Sequence, residues 1–276
     1  MSCDVSVVIP TFNRARLVLR AVSSVVAQTL APREIIVVDD GSTDDTLAQL
    51  QQQFPTIKIV AQSCQGVSAA RNNAIKRARG EWIALLDSDD TWMPEKLEAQ
   101  MAVASDKRGY RLVHCDERWV RNGQLLAQKK YHRKRGGDIF LECLERCMIS
   151  PSAALLHRSV FDQTGFFDET LPACEDYDFW LRFCVAENVS FVDRVLVSKY
   201  GGHPDQLSRT TAVLDQYRLR SLVELLRSAS MTTQQRAAVE TIVRRKRDIV
   251  LNGAAKHQNT AMQSHIENLC SEVLRA

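Results

Sequence analysis

The decapeptide Glu81-Trp82-Ile83-Ala84-Leu85-Leu86-Asp87-Ser88-Asp89-Asp90 passes from an apolar run into three carboxylates. Residues 82–86 are the short, unbroken apolar segment that fills a strand covered on both faces. Carboxylates as close as Asp87, Asp89 and Asp90 repel one another and resist ionising together unless a cation shares the site. The carboxyl ends of strands in an open α/β sheet are also where ligands bind. One use of the cluster is therefore a divalent cation, and a hard cation points to a phosphate-bearing ligand. The other use is local, an acidic turn that caps the helix starting near Pro94, with Asp90 or Thr91 as N-cap. Taken alone, the cluster fits both.

Upstream, three more apolar runs alternate with helical patterns. Residues 5–9 form a buried strand by type, broken by Pro10-Thr11-Phe12-Asn13-Arg14. Leu17, Ala21, Val22, Val25 and Val26 then recur at helical spacing. Residues 34–38 form a second strand, which ends in Asp39-Asp40-Gly41-Ser42-Thr43-Asp44. Ser42 or Thr43 can cap the helix carrying Leu47, Leu50 and Phe54. Residues 57–61 are a third strand, and Gly66 opens a helix that runs to Arg79. Residues 1–90 thus read β-α-β-α-β-α-β, an order that gives a parallel sheet with right-handed crossovers and helices on both faces. The loops after Ile9, Val38 and Leu86 fall at one edge, and two of them are acidic. Neither a G-x-G-x-x-G nor a P-loop motif follows the first strand.

Downstream, the pattern predicts a helix from Pro94 to about Ser105, strands at 112–115 and 118–120, and a hairpin at Asn122-Gly123. The basic segment 129–137 ends in two glycines and reads as a mobile surface loop, either solvated or steering an anionic partner. A helix is expected over 139–147, a short strand over 153–157, and an aromatic-rich connection around Gly165. Glu175, Asp176 and Asp178 open an apolar helix. Acids there suit the helix dipole, and one of them facing a pocket would serve as a general base. Strands at 189–192 and 195–200 lead to the Gly201-Gly202-His203 loop, and three helices follow at 213–226, 232–251 and 262–274. Arg244-Arg245-Lys246-Arg247 reads as a solvated face.

The 276 residues carry a net charge of +3, too weak a bias to argue nucleic-acid binding. Eight cysteines with no C-x-x-C pair read as reduced, mostly buried thiols. The first residues lack the basic-then-apolar pattern of a signal peptide. No apolar stretch approaches the ~20 residues that a membrane span needs.

Four motifs, in order and at this spacing, resemble the family 2 glycosyltransferases of the GT-A fold: Val7 to Arg14, Ile36 to Asp44, Gly66 to Asn72 and Leu85 to Asp90. Glu175-Asp176 before an aromatic helix is similar to the family's later acidic motif. The resemblance covers residues 3 to about 209 and implies a Rossmann-like, mostly parallel α/β sheet flanked by helices. It divides the chain into a GT-A domain at 1–209 (a nucleotide-sugar half at 1–105 and an acceptor half at 106–209) and a C-terminal helical extension at 210–276. It implies a metal-dependent inverting glycosyltransferase that moves a sugar from a nucleotide-diphospho-sugar, a UDP-sugar by the family's habit, to an acceptor hydroxyl in cell-surface polysaccharide or glycoconjugate synthesis. On matching positions, Pro10, Thr11, Phe12, Asn13, Arg14, Asp40, Arg71, Asp87 and Ser88 would hold the nucleotide-sugar. Asp89 would ligate Mn2+ or Mg2+, His203 would join the metal shell, and Asp176 would be the catalytic base. The acceptor would be a saccharide, a lipid-linked saccharide or a protein. The chain is expected to be cytoplasmic and peripheral at the inner face of the membrane. Its C-terminal helices would form an acceptor wall, a partner surface or a homodimer contact. A nucleotidyltransferase and a non-catalytic nucleotide-sugar-binding protein are the competing readings. The first lacks its glycine-rich basic phosphate loop, and the second has no need of all the acids at 87, 89 and 176.

Overall fold

The computed structural model describes residues 2–106, 108–202, 211 and 213–274. β1 (Ser2–Thr11), β2 (Ala31–Asp39), β3 (Lys58–Ala61) and β4 (Trp82–Leu85) lie parallel in the order β3-β2-β1-β4. They are joined through α1 (Ala15–Val26), α2 (Thr46–Gln53) and α3 (Val67–Arg77), the alternation that the sequence predicts. β-Branched residues dominate β1, and Val7 and Val8, which point to opposite faces, are both fully buried. The register pairs Thr11 with Asp39 and Val8 with Leu85, so the loops after β1, β2 and β4 leave the sheet at one edge.

The sheet then becomes mixed. β8 (Leu155–His157) runs antiparallel to β4, and β6 (Leu112–Arg121) antiparallel to β8. β9 (Ser190–Gly201) lies parallel to β6, and β5 (Thr91–Trp92) pairs antiparallel with β9. β7 (Gln124–Leu126) folds back on β6. Val5, Val7, Ile9, Trp82, Ala84 and Leu86 pack with Val18, Val22 and Val25 of α1 and with Val113, Leu155 and Leu196 farther along the sheet. Each such aliphatic side chain withdrawn from water contributes about 1.5–3 kcal/mol.

Several local expectations change. The strands predicted at 112–115 and 118–120 are one strand, as are those at 189–192 and 195–200. Asp116 and Glu117, and opposite them Asp193 and Arg194, are absorbed by a register shift between β6 and β9. Glu117 is moreover neutralised by Lys134 at 2.7 Å. The segment expected to be a mobile basic loop is anchored: Lys134 is buried, and Gly137 exchanges backbone hydrogen bonds with Val189 at 2.8 and 3.1 Å. The aromatic connection before Gly165 contains a further short helix, α6 (Ser159–Thr164). α4 (Lys96–Ala104) begins later than predicted, and neither Asp90 nor Thr91 caps it. Thr91 belongs to β5, and Gln28 Oε1 accepts from Leu97 N at 3.0 Å in place of a local cap.

The chain forms two compact units. The first holds residues 1–137, 149–169 and 188–203, and the second holds 138–148, 170–187 and 204–276. The second unit contains α5 (Phe140–Glu145), α7 (Glu175–Cys184), α8 (Leu214–Ser228), α9 (Thr233–Lys256) and α10 (Thr260–Ser271). Thr232 and Gln235 form a reciprocal capping box at the start of α9. The basic run on α9 is not wholly solvated: Lys246 is buried with its Nζ 2.9 Å from Asp215, and Arg245 pairs with Glu145. All eight cysteines are free thiols, and only Cys115, Cys143, Cys184 and Cys270 are buried. No helix among the described residues is long and apolar enough to cross a membrane.

Candidate active site

The loops after β1 and β2 are stitched together by hydrogen bonds. Asp40 N donates to Thr11 O at 2.9 Å, and Asn13 N donates to Ser42 Oγ at 2.8 Å. Asn13 Oδ1 in turn accepts from Thr43 N at 2.7 Å. Asn13 adopts a left-handed φ of 50°, which asparagine tolerates better than most residues. Phe12 stands 42 % exposed beside this junction, and Pro10 is buried at the strand end. Thr11 is buried, and among the described residues its hydroxyl finds no hydrogen-bond partner.

Asp40 is the hub of the second loop. Its Oδ1 accepts from Gln62 Nε2 at 2.8 Å and Gln65 N at 2.9 Å, and its Oδ2 accepts from Gly66 N at 2.8 Å. The buried carboxylate thereby fixes the start of α3. A carboxylate offers about four acceptor positions, so one remains for a ligand. Gly41 sits at φ 82°, and a Cβ there would meet Cys64 N at 3.0 Å, so glycine is required for the close approach. Asp39, which the sequence reading left without a role, accepts from the Ser42 hydroxyl and backbone.

The third loop carries the acids. Asp87 Oδ1 lies 2.6 Å from Nη2 of the buried Arg71, and Asp89 Oδ2 lies 3.1 Å from Arg14 Nη1. Arg20 Nη2 donates to the backbone oxygen of Asp89 at 2.6 Å, while its guanidinium lies 3.8 Å from the centre of the Tyr200 ring. Burial first, then the negative charge of Asp87, pushes the Asp89 carboxyl up, with Arg14 opposing. Asp90 is fully committed inside the protein. Its Oδ2 accepts from Ser152 Oγ at 2.6 Å and its Oδ1 from Tyr200 N at 3.0 Å, and burial pushes its carboxyl well up. Ser88 is buried beside them. Asp40, Arg71, Asp87, Asp89 and Arg14 are thus gathered by the loops after β1, β2 and β4 and by α3.

Among the described residues, no three His, Cys, Asp or Glu side chains converge as a metal cage. A cage is not what a nucleotide-linked cation needs, because Mg2+-type sites use one or two carboxylates plus substrate phosphates and water. Asp89, largely buried and destabilised as an anion by that burial and by Asp87, fits that kind of ligand. His203 lies outside the described residues.

In the second unit, α7 opens with Glu175, Asp176 and Asp178 behind Cys174, whose φ is 64°. Asp178 is committed to Arg182 one turn on, at 2.8 Å, and it is buried, as is Glu175. Asp176 is half-buried. Its Oδ1 accepts from Tyr177 N at 2.7 Å and its Oδ2 from the Cys147 thiol at 3.2 Å. Of the three acids it is the most accessible, and it retains acceptor capacity. Arg20, Ser152 and Gln62 went unrecognised in the sequence. Each reaches the site from a separate element, and nothing in its local pattern marks it.

The family described as Glycosyl transferase family 2 matches residues 6–165. An uncharacterized glycosyltransferase of Rickettsia typhi is 31% identical over 75% of this chain and 66% of its own length. A UDP-Glc:alpha-D-GlcNAc-diphosphoundecaprenol beta-1,3-glucosyltransferase of Escherichia coli is 30% identical over 71% of this chain and 76% of its own length. Among solved structures, S. aureus TarS in complex with UDP-GlcNAc superposes with a TM-score of 0.78 at 19% identity, covering 99% of this chain and 80% of that one. That likeness fixes the GT-A type of fold. The chain spans just under two thirds of the length of the rickettsial relative, and only 31% of another from Rickettsia bellii.

Proposed function

The chain belongs to glycosyltransferase family 2, and from that premise we propose that it transfers a sugar, with inversion, from a UDP-sugar to an acceptor hydroxyl during cell-surface polysaccharide or glycoconjugate synthesis. The observation that carries this reading is the gathering of Arg14, Asp40, Asp87 and Asp89 just past the ends of three parallel strands, with Arg71 of α3 beside them and each acid paired or braced. The donor and the lipid-linked acceptor in the name of the Escherichia coli relative, and the UDP-GlcNAc held by TarS, favour a uridine donor and a glycan acceptor.

In this reading Pro10, Thr11, Phe12 and Asn13 form the wall for base and ribose, with the Thr11 hydroxyl gaining its missing partner there. The open acceptor position of Asp40 takes a donor hydrogen of the base. Arg71 and Arg14 lend positive charge to the diphosphate, Asp87 meets the ribose beside Ser88, and Asp89 would hold the divalent cation. That cation would supply neutralisation of the charge that builds on the leaving diphosphate. Asp176 takes the proton of the attacking hydroxyl. A single in-line displacement needs one such base and no covalent intermediate.

The test is a thermal-shift screen of nucleotide sugars with and without manganese, because binding to the folded state alone raises its stability with occupancy. Asp176→Asn is expected to abolish transfer and leave nucleotide binding intact, and Asp89→Ala to remove the manganese enhancement of that binding. Equal loss of transfer and binding in Asp176→Asn would make that residue a nucleotide ligand or a structural group. Manganese enhancement that persists in Asp89→Ala would remove it from the metal shell.

A further inference from the structure

Between Arg118 and Gly137 the chain carries seven basic side chains and no acidic one. The β6–β7 hairpin at the start of this segment turns at Asn122 and Gly123, with φ 52° and 77°, the left-handed pair of a type I′ turn. Its outer strand, β7, pairs among the described residues only with β6. That strand leaves Leu125 68% and Leu126 43% exposed, opposite Val120 and Trp119. An edge strand that shows two adjacent leucines to water is a liability that proteins normally blunt with charge or cover.

The segment behind the hairpin is pinned rather than loose. Gln128 Nε2 donates to Glu117 O at 2.7 Å, and the His132 ring packs 4.6 Å from Trp119 and 4.0 Å from Tyr131. Lys134 is sunk against Glu117 at 2.7 Å, and Gly137 is bridged to Val189. Glu117 also accepts from Ser150 and from Trp119 Nε1. Burial works to raise the Glu117 carboxyl, but the charges of Lys134 and Lys199 and the hydrogen bonds from Lys134 and Ser150 outweigh it and hold it well below the usual carboxylate range. Lys129, Lys130 and Arg133 are left exposed around Tyr131, itself 54% exposed. Apolar and aromatic side chains held among cations, with no acid between them, form the pattern of an interfacial anchor.

We propose that the β6–β7 hairpin and the pinned basic segment behind it dock this protein on an anionic lipid bilayer. Leu125 and Leu126 point to opposite faces of the hairpin, so the strand enters edge-first. Both leucines then reach the boundary between headgroups and acyl chains, where water and headgroups still satisfy the free backbone edge of β7. A second copy of this chain is a poor occupant, because pairing two β7 edges would bring two all-basic segments together. The proposal does not depend on turnover, so it stands or falls separately from the transferase reading.

The experiment is flotation of the full chain with vesicles of equal parts phosphatidylcholine and phosphatidylglycerol, against vesicles of phosphatidylcholine alone. Binding is expected only to the anionic vesicles. Near an anionic surface each lysine is worth about fivefold in affinity, so Lys129→Gln with Lys130→Gln weakens binding about thirtyfold. Leu125→Ser with Leu126→Ser weakens it at least about tenfold. Both leucines are surface residues, and an unchanged melting midpoint shows that this variant is folded. Equal binding to neutral vesicles, or no binding to either kind, overturns the proposal. Binding that falls with the lysines but ignores the leucines also overturns it, since that is the behaviour of simple polyanion attraction.

Discussion

Replacing Asp40 by asparagine separates the brace from the base contact at that position. The carboxylate accepts three hydrogen bonds, from Gln62 Nε2, Gln65 N and Gly66 N, at 2.8 to 2.9 Å. Asparagine has one acceptor oxygen. In its better orientation it keeps the Gln62 and Gln65 bonds, now without charge assistance, and turns its NH2 group toward Gly66 N. That loses one charge-assisted bond and leaves a buried N–H facing another donor, a cost of about 2–4 kcal/mol. For a chain of this size the melting midpoint should fall by roughly 5–12 °C in the absence of ligand. Uridine diphosphate should then stabilise the variant less than it does wild type, because the open acceptor position on Asp40 has gone as well. Differential scanning fluorimetry with and without the nucleotide reads both effects. A midpoint within a degree of wild type would refute the brace. A lowered midpoint with an undiminished nucleotide shift would keep the brace and refute the base contact.

Lys96 is fully buried, its Nζ 2.6 Å from Gln100 Oε1 and 3.9 Å from the centre of the Trp92 ring, and burial pushes its pKa down from 10.5 to about 8. Between those values the unfolded chain binds the extra proton. Stability of wild type relative to Lys96→Met should therefore rise with pH by up to about 1.4 kcal/mol per unit, read from urea midpoints, and a flat difference would refute the depressed pKa. Lys134→Met strips the cation from buried Glu117 and should cost about 3–5 kcal/mol, most of it recovered in the double variant with Glu117→Gln; equal loss in the single and double variants would show that the pair is not coupled. Cys147 donates to Asp176, so Cys147→Val should lower kcat with little change in donor KM, and Cys147→Ser should restore it. A parallel loss in both would leave Cys147 as packing alone.

The nucleotide half was legible because its signals are local. Residues 5–9, 34–38 and 82–86 each announce a buried strand within a few residues, and the helices between them carry their own periodicity and stops. Parallel order then follows from alternation alone, and the three functional loops follow from parallel order. The other half of the sheet was harder to read. β6 and β9 are long strands interrupted in sequence by charged pairs, and only the register shift between them shows how the charges are absorbed. Lys134 looked like one more solvated cation in a basic run, because its partner Glu117 lies on a different element. Lys246 misled in the same way, its partner Asp215 lying a helix away. In each case a charge that the composition assigns to the surface is buried by a partner distant in sequence.

The three acids that end β4 show how far a cluster can be divided when each carboxylate meets a different neighbour. Chemically they are the same side chain within four positions. Asp87 faces the buried Arg71 and Asp89 faces Arg14, so each retains a cation to offset its charge. Asp90 instead turns to Ser152 and to the backbone of β9, and burial pushes its carboxyl well up against the opposing charge of Lys199. The helix cap expected of Asp90 is supplied by Gln28, which frees the acid to tie the β4 loop to β9. Tyr200, whose backbone Asp90 holds, carries Arg20 on its ring, and Arg20 in turn holds the backbone of Asp89. Asp90 therefore sets where Asp89 stands without being available to a ligand itself. A substitution at Asp90 should displace the neighbouring carboxylate, which makes loss of cation binding in such a variant an indirect effect and leaves Asp89→Ala the cleaner probe of the site.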